Sequence, residues 1–187
     1  MKLTGLSTVS LALFFTFAQT QAQVTIGHIT IVDAPGIRQQ ELDKIAHEVE
    51  GRTSVTNFAR GFIADEVLEA FHARGYFRAT VVEPELKPST AGRTDADVAV
   101  IPGPQYLTRD IEFRFGGQPV LLKAGVLPLV VTHAGTVFNI RDVRKTAEDL
   151  QQYYVEHGYP KAVVMPQMIV NDYEHLITVE FDIQPQG

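Results

Sequence analysis

Six histidines (His28, His47, His72, His133, His157 and His175) are the side chains best suited to proton transfer or metal ligation near neutral pH. No two stand four apart on one predicted helix, so none forms the paired ligand face of a helix-borne zinc site. His157, one residue before a glycine that ends a predicted helix, has a structural role at the negative end of the helix dipole. The carboxylates Asp65, Glu66 and Glu69, and Glu148 with Asp149, cluster on predicted helices, where a solvated outer face accounts for them. Ser54 and Ser89 lie in loops with no G-x-S-x-G around them. Gly116-Gly117 follows a strand but lacks the third glycine and the Lys-Ser/Thr that complete a phosphate loop. The chain has no cysteine, which removes thiolate chemistry, disulfides and cysteine-ligated metal. These residues predict no catalytic site, no cofactor and no metal.

What the residues do show is a pattern used twice. Val143 to Pro166 reads as a helix, a glycine stop, an aromatic residue and a strand, and Ile63 to Pro84 has the same plan. Gly75-Tyr76 and Gly158-Tyr159 stand 83 residues apart, and the same offset places Phe71 on Tyr154 and Ala79 on Ala162. A period of that length suits two copies of one small domain better than a solenoid unit. In each copy the glycine is expected just past the helix end, where left-handed dihedrals are needed and glycine adopts them freely. The next residue can then fold back, pairing Tyr76 with Phe71 and Tyr159 with Tyr154 in an aromatic clasp.

With 187 residues and 45% hydrophobic content, the chain has room for one large or two small globular domains. Met1-Lys2, the apolar run Leu6–Ala18 and the small residues of Thr20-Gln21-Ala22 read as a secretory signal cleaved after Ala22. Removing it takes the formal charge of −6 to about −7. An acidic surface without basic clusters argues against nucleic acid and against an anionic lipid surface as the main partner.

In the first copy, His28–Val32 is a predicted strand and Gln39–Val49 a helix burying Leu42, Ile45, Ala46 and Val49. Thr56 or Asn57 is expected to cap the next helix, which runs to Arg74. Ala79–Val82 follows as a strand, Lys87–Thr94 as a loop, and Asp97–Ile101 as a third strand. Pro102-Gly103-Pro104 marks a boundary. In the second copy, Ile111, Phe113 and Phe115 alternate with Asp110, Glu112 and Arg114, as in a sheet with one wet face. Leu121–Val131 is apolar but broken by Gly125 and Pro128, so its helix should be short or irregular. Asn139 caps a helix running to His157. The Ala162–Met165 strand and a last strand with Ile177, Val179, Phe181 and Ile183 inward complete the unit. The predicted fold class is α+β: two tandem β-α-α-β-β domains, 23–104 and 105–187 after a signal at 1–22. Each is expected to be a three-stranded mixed sheet covered on one face by two helices.

This order, with Gly-Tyr between the second helix and the second strand, resembles the POTRA (polypeptide-transport-associated) domain. The second copy carries Tyr106, Ile111-Glu112-Phe113, Gly135, Phe138, Tyr153-Tyr154, Gly158-Tyr159, Ala162, Pro166 and Val179-Glu180-Phe181-Asp182-Ile183. The first carries Ile29, Ile31, Gly75-Tyr76-Phe77, Ala79 and Val100-Ile101-Pro102-Gly103. Such domains are periplasmic repeats of outer-membrane barrel assembly factors and two-partner secretion transporters. In those proteins the repeats lead into a barrel, and no run of alternating ten-residue strands remains here to form one. The resemblance therefore implies the adaptor activity of the repeats and not insertion or secretion by the whole proteins.

The resemblance further implies that the second strand of each copy is a sheet edge to which extended client segments add. That nominates Ala79, Thr80, Val81 and Val82, and Ala162, Val163, Val164 and Met165. The second edge reads as the more open, because Val163, Val164 and Met165 carry no charge. The expected function is a non-enzymatic adaptor or chaperone-like module, in the periplasm and at most peripheral to the outer membrane. Its implied partners are outer-membrane protein clients or a separately encoded barrel assembly or secretion component, with no nucleic acid. The alternative is an envelope scaffold that binds one folded partner through its domain faces.

Overall fold

A computed structural model describes residues 22–89, 93–116 and 123–185. The expected signal segment lies outside the described residues up to Gln21. Among the described residues the chain is α+β, with two sheets and two separate hydrophobic cores.

The first sheet contains β1 (Gln23–Val32), β2 (Thr53–Val55), β3 (Thr80–Val81), β4 (Glu85–Pro88) and β5 (Arg93–Ile101). Its order is β2-β1-β5-β3, with β4 also on β5. Helices α1 (Gln39–Val49) and α2 (Ala59–His72) bury Leu42, Ile45, Val49, Ile63, Val67 and Phe71 in its core. The sheet is thus larger than the expected three strands. β2 forms antiparallel to the start of β1, and Lys87–Pro88, expected as loop, pairs with β5 as part of β4. β1 begins five residues before the predicted His28. A bulge between Ile26 and Ile29 breaks the two-residue alternation, so both side chains face inward although three apart. At the bulge a Cβ on Gly27 would lie 2.0 Å from Asp95 Oδ1, which accepts a bond from the His28 N–H.

Neither Thr56 nor Asn57 caps α2. A 3-10 turn over Thr56–Phe58 precedes it, and the Thr56 hydroxyl donates to the Ala22 carbonyl instead. The helix stops at His72, two residues before the predicted end, and Ala73 to Gly75 continue as turn.

The second sheet has the order β6-β8-β7, from β6 (Leu107–Phe115), β7 (Val163–Asn171) and β8 (Leu176–Gln184). β6 runs parallel to β8 with the same kind of bulge, here between Thr108 and Ile111. Among the described residues, the first helix of this unit comprises α3 (Lys123–Val126) and a 3-10 turn at Leu127–Leu129. Over the sheet lies α4 (Ile140–Glu156), which buries Val143, Thr146, Ala147, Leu150 and Tyr154. The Asn139 side chain accepts from the Arg141 N–H and caps α4. Among the described residues, two full helices therefore cover the first sheet and one the second. Gly125 and Pro128 account for the difference, since both oppose helix propagation.

Candidate functional site

The two copies of the helix stop share one geometry. Gly75 and Gly158 sit at φ of +84° and +96°, the left-handed region that glycine enters without cost from a Cβ. Tyr76 N–H donates to the Phe71 carbonyl at 3.1 Å, and Tyr159 N–H to the Tyr154 carbonyl at 3.0 Å. This is the long bond of a Schellman cap. The rings follow it: Phe71–Tyr76 and Tyr154–Tyr159 meet edge-to-face at 5.8 and 5.9 Å. Ala79 and Ala162 then donate to the Tyr76 and Tyr159 carbonyls, so each cap aims the chain into the strand that follows.

Those strands differ. In the first unit the outer lane of the sheet is broken. β3 is two residues long, Val82 lies beyond it but still donates to the Ala99 carbonyl, and Pro84 separates it from β4. Ala79 is buried in the core. Glu83 pairs with Arg60 and Lys87 with Asp97, so charge flanks what edge remains. Short pieces, proline and charge are the usual means of blunting an edge.

In the second unit the lane is one continuous strand. β7 is paired along all nine residues with β8 on one side and forms the sheet edge on the other. It runs six residues past Met165, the end read from the sequence, while Ala162 lies just outside it and is buried. No residue from Val163 to Asn171 carries charge. Between this edge and α4 lies a groove of about 300 Å³, lined by Ala147, Glu148, Gln151, Gln152, Val155 and Val164. On the opposite face Val163, Met165 and Ile169 stand exposed. No sequence signal locates this groove, because it depends on how far α4 overhangs β7.

A third feature joins the units. Phe77, next to the first cap, packs edge-to-face on Tyr106 and Phe138 of the second core. Arg78 makes a bidentate pair with Asp172 at 3.0 and 2.9 Å, and Tyr106 donates to the same carboxylate. Both contacts hold the Asp172 carboxyl below its ordinary range, Arg78 most strongly. On the helix side Arg141 reaches Glu48 and Glu69, Arg144 reaches Glu69, and Arg74 reaches Glu48. Burial raises the Glu48 carboxyl, but the two arginines outweigh it and leave it lowered, while Glu69 is lowered chiefly by Arg144. His72, stacked near Phe77, is pushed down by burial and then by Arg144. Sequence spacing cannot reveal these contacts between the units, since the partners stand 72 to 94 residues apart.

The histidines do not converge as ligands. His28 and His47 both bond to Glu50, which also accepts from the Ile29 N–H and so closes part of the β1 edge. Among the described residues no group of three or more His, Asp or Glu is placed to hold a metal ion, and no helix is long and apolar enough to cross a membrane.

Comparison with known proteins agrees with this architecture. Residues 106–186 match the family model POTRA, described as a surface antigen variable number repeat. No curated protein matches the chain. Among solved structures, the crystal structure of Haemophilus influenzae BamA POTRA3-5 superposes with a TM-score of 0.61 at 14% identity. It matches over 90% of this chain and 69% of that one. BamA from Haemophilus ducreyi lacking POTRA domains 1-3 gives 0.59 at 16% identity, over 88% of this chain and 30% of its own. At these identities the likeness is one of fold, and the chain spans less than a third of the second protein. Residues 106–186 thus match the POTRA family, and the two units together have the fold of consecutive POTRA domains.

Proposed function

We propose that the chain is a non-enzymatic periplasmic adaptor for outer-membrane protein assembly or secretion, which holds extended client segments by strand addition to β7. The observation that carries this reading is the continuous, uncharged nine-residue edge Val163–Asn171 beside the groove under α4. An added strand would take its affinity from main-chain bonds, and Val155, Val164 and Gln151 would offer it modest side-chain selectivity. The POTRA match of residues 106–186 supports the same setting, because such domains are the periplasmic repeats of barrel assembly and secretion proteins. The reading takes 1–22 as a secretory signal and 23–104 and 105–187 as the two domains. A barrel component is the partner on which the adaptor would dock.

The test is a backbone-amide NMR titration of residues 23–187 with extended peptides whose sequences are those of outer-membrane β-strands. Shifts are expected along Val163–Asn171 and on the groove-facing turn of α4. Dissociation constants should fall on the order of 0.1–1 mM, as unaided strand pairing gives. Scrambled peptides of equal β-propensity should compete about as well. A spectrum unchanged at millimolar peptide sinks the reading.

A further inference from the structure

β7 is complementary to itself, and from this we infer that a second copy of the chain adds to the same edge and forms a twofold dimer with one continuous sheet. The inference rests on the edge reading above and names a further occupant for that edge. Proline lacks an N–H and is tolerated in a strand where its missing donor points away from the ladder. Pro166 therefore assigns the ladder with β8 to the odd-numbered residues, and leaves the even-numbered Val164, Met168 and Val170 to direct their N–H and C=O groups outward. The midpoint of the strand is Gln167. An antiparallel pairing of two copies about Gln167 uses every residue of both strands.

That register matches like with like. On the groove side Val164 faces Val170 of the other copy and Pro166 faces Met168. On the open face Met165 meets Ile169, which covers two side chains that are 41% and 57% exposed in one copy. Gln167 meets Gln167 across the axis, where two side-chain amides can bond to each other. An axis at Pro166 would lose the same two bonds, those of the missing proline N–H groups, but would put both losses in the central pair and set proline against proline. Charge agrees as well. The strand has none to repel its own copy, and the pairing brings Lys161, which has no ion-pair partner among the described residues, toward the Asp172–Glu174 turn of the other copy, whose carboxylates also pair with Arg78 and Arg109. Natural edges normally carry a charge against such pairing; this one carries a single proline, off centre.

The chain has no cysteine, so single cysteines can report the register. The two Gln167 positions form a non-hydrogen-bonded pair with Cα atoms about 4.5 Å apart, within disulfide range. Oxidation of Q167C should therefore give a covalent dimer. I169C should not, because four residues of offset separate its thiols by roughly 13 Å. Light scattering of the unmodified chain should show a dimer with a dissociation constant on the order of 10–100 µM, in keeping with a small interface. Q167K sets like charges directly opposite and should weaken it at least about fivefold. Lysine there stands beside Glu180 on β8, so the fold is expected to survive, with an unchanged circular dichroism spectrum. A chain that stays monomeric at millimolar concentration overturns the dimer, as does cross-linking of I169C as readily as Q167C. Peptide titration of monomeric Q167K separates the two readings. Peptide shifts on β7 without any dimer in the unmodified chain would sink this inference and keep the client site. A dimer of the stated register with no peptide shifts would keep this inference and sink the client site.

Discussion

Gly75 and Gly158 occupy the same place in the same cap, yet they are held by different surroundings. A Cβ on Gly158 would meet nothing within 4 Å, whereas one on Gly75 would lie 2.7 Å from Val137 Cγ1 and 2.9 Å from the Tyr106 carbonyl oxygen. G158A should therefore cost only the left-handed backbone term, about 1–2 kcal/mol. G75A adds a clash with main chain of the other unit and should cost about 2–4 kcal/mol in urea unfolding. Equal losses for the two variants would contradict the packing described at the joint. His72 bears on the same joint. Burial and Arg144 lower its pKa below the ordinary 6.5, so the unfolded chain binds its proton more readily than the folded one. Its contribution is complete above about pH 6.5 and is lost as pH falls from there toward the folded value. The stability of the unmodified chain should decline from pH 7 to pH 5 more than that of H72F. Glu48 and Glu69 are lowered too, so their contribution is complete above their ordinary value of 4.5 and is lost as pH falls from there, which leaves this window to His72.

At the level of elements, strand length decides which edge can take a guest. In the peptide titration, Thr80–Val81 should move little beside Val163–Asn171, because a two-residue strand next to Pro84 offers too few groups to order an incoming chain. Both helix caps, the stripe of α4 and the last strand are legible in the sequence, since each is fixed by local spacing: Gly before an aromatic, or apolar residues at steps of three, four or two. The bulges in β1 and β6 are not. They carry one residue too many for strict alternation, and what stabilises the first is Asp95, 67 residues from His28. β4 is hidden by Pro88 and by the polar residues around it, which read as loop although β5 pairs them. The full reach of β7 is hidden for a similar reason. Pro166 reads as its end, and in an edge strand a proline can sit in the middle.

Across the whole molecule, the contacts that join the two units include Phe77 with Tyr106 and Phe138, the Tyr106 N–H with the Gly75 carbonyl, Arg78 with Asp172, and the arginines of α4 with Glu48 and Glu69. Ion pairs of this exposure contribute little to folding but fix direction well when several share one interface. Replacing Arg78, Arg141 and Arg144 together by alanine should leave each unit folded and free their relative orientation. Residual dipolar couplings from the two units should fit one alignment tensor in the unmodified chain and two in the variant. A single shared tensor in both would show that the aromatic contact and the Tyr106 N–H bond to the Gly75 carbonyl set the angle without the ion pairs.

Asp172 lies in the turn that links β7 to β8, and Arg78 lies two residues before β3. One carboxylate thus ties the hairpin bearing the long edge to the chain entering the broken one. Free-energy coupling between two places is reciprocal. Whatever tension a guest on β7 puts on that carboxylate, a load on the first unit must return in equal measure. On the proposed reading the chain would be a strain gauge as well as a holder: a pull on its first unit would read out as a change in how firmly the second keeps its grip.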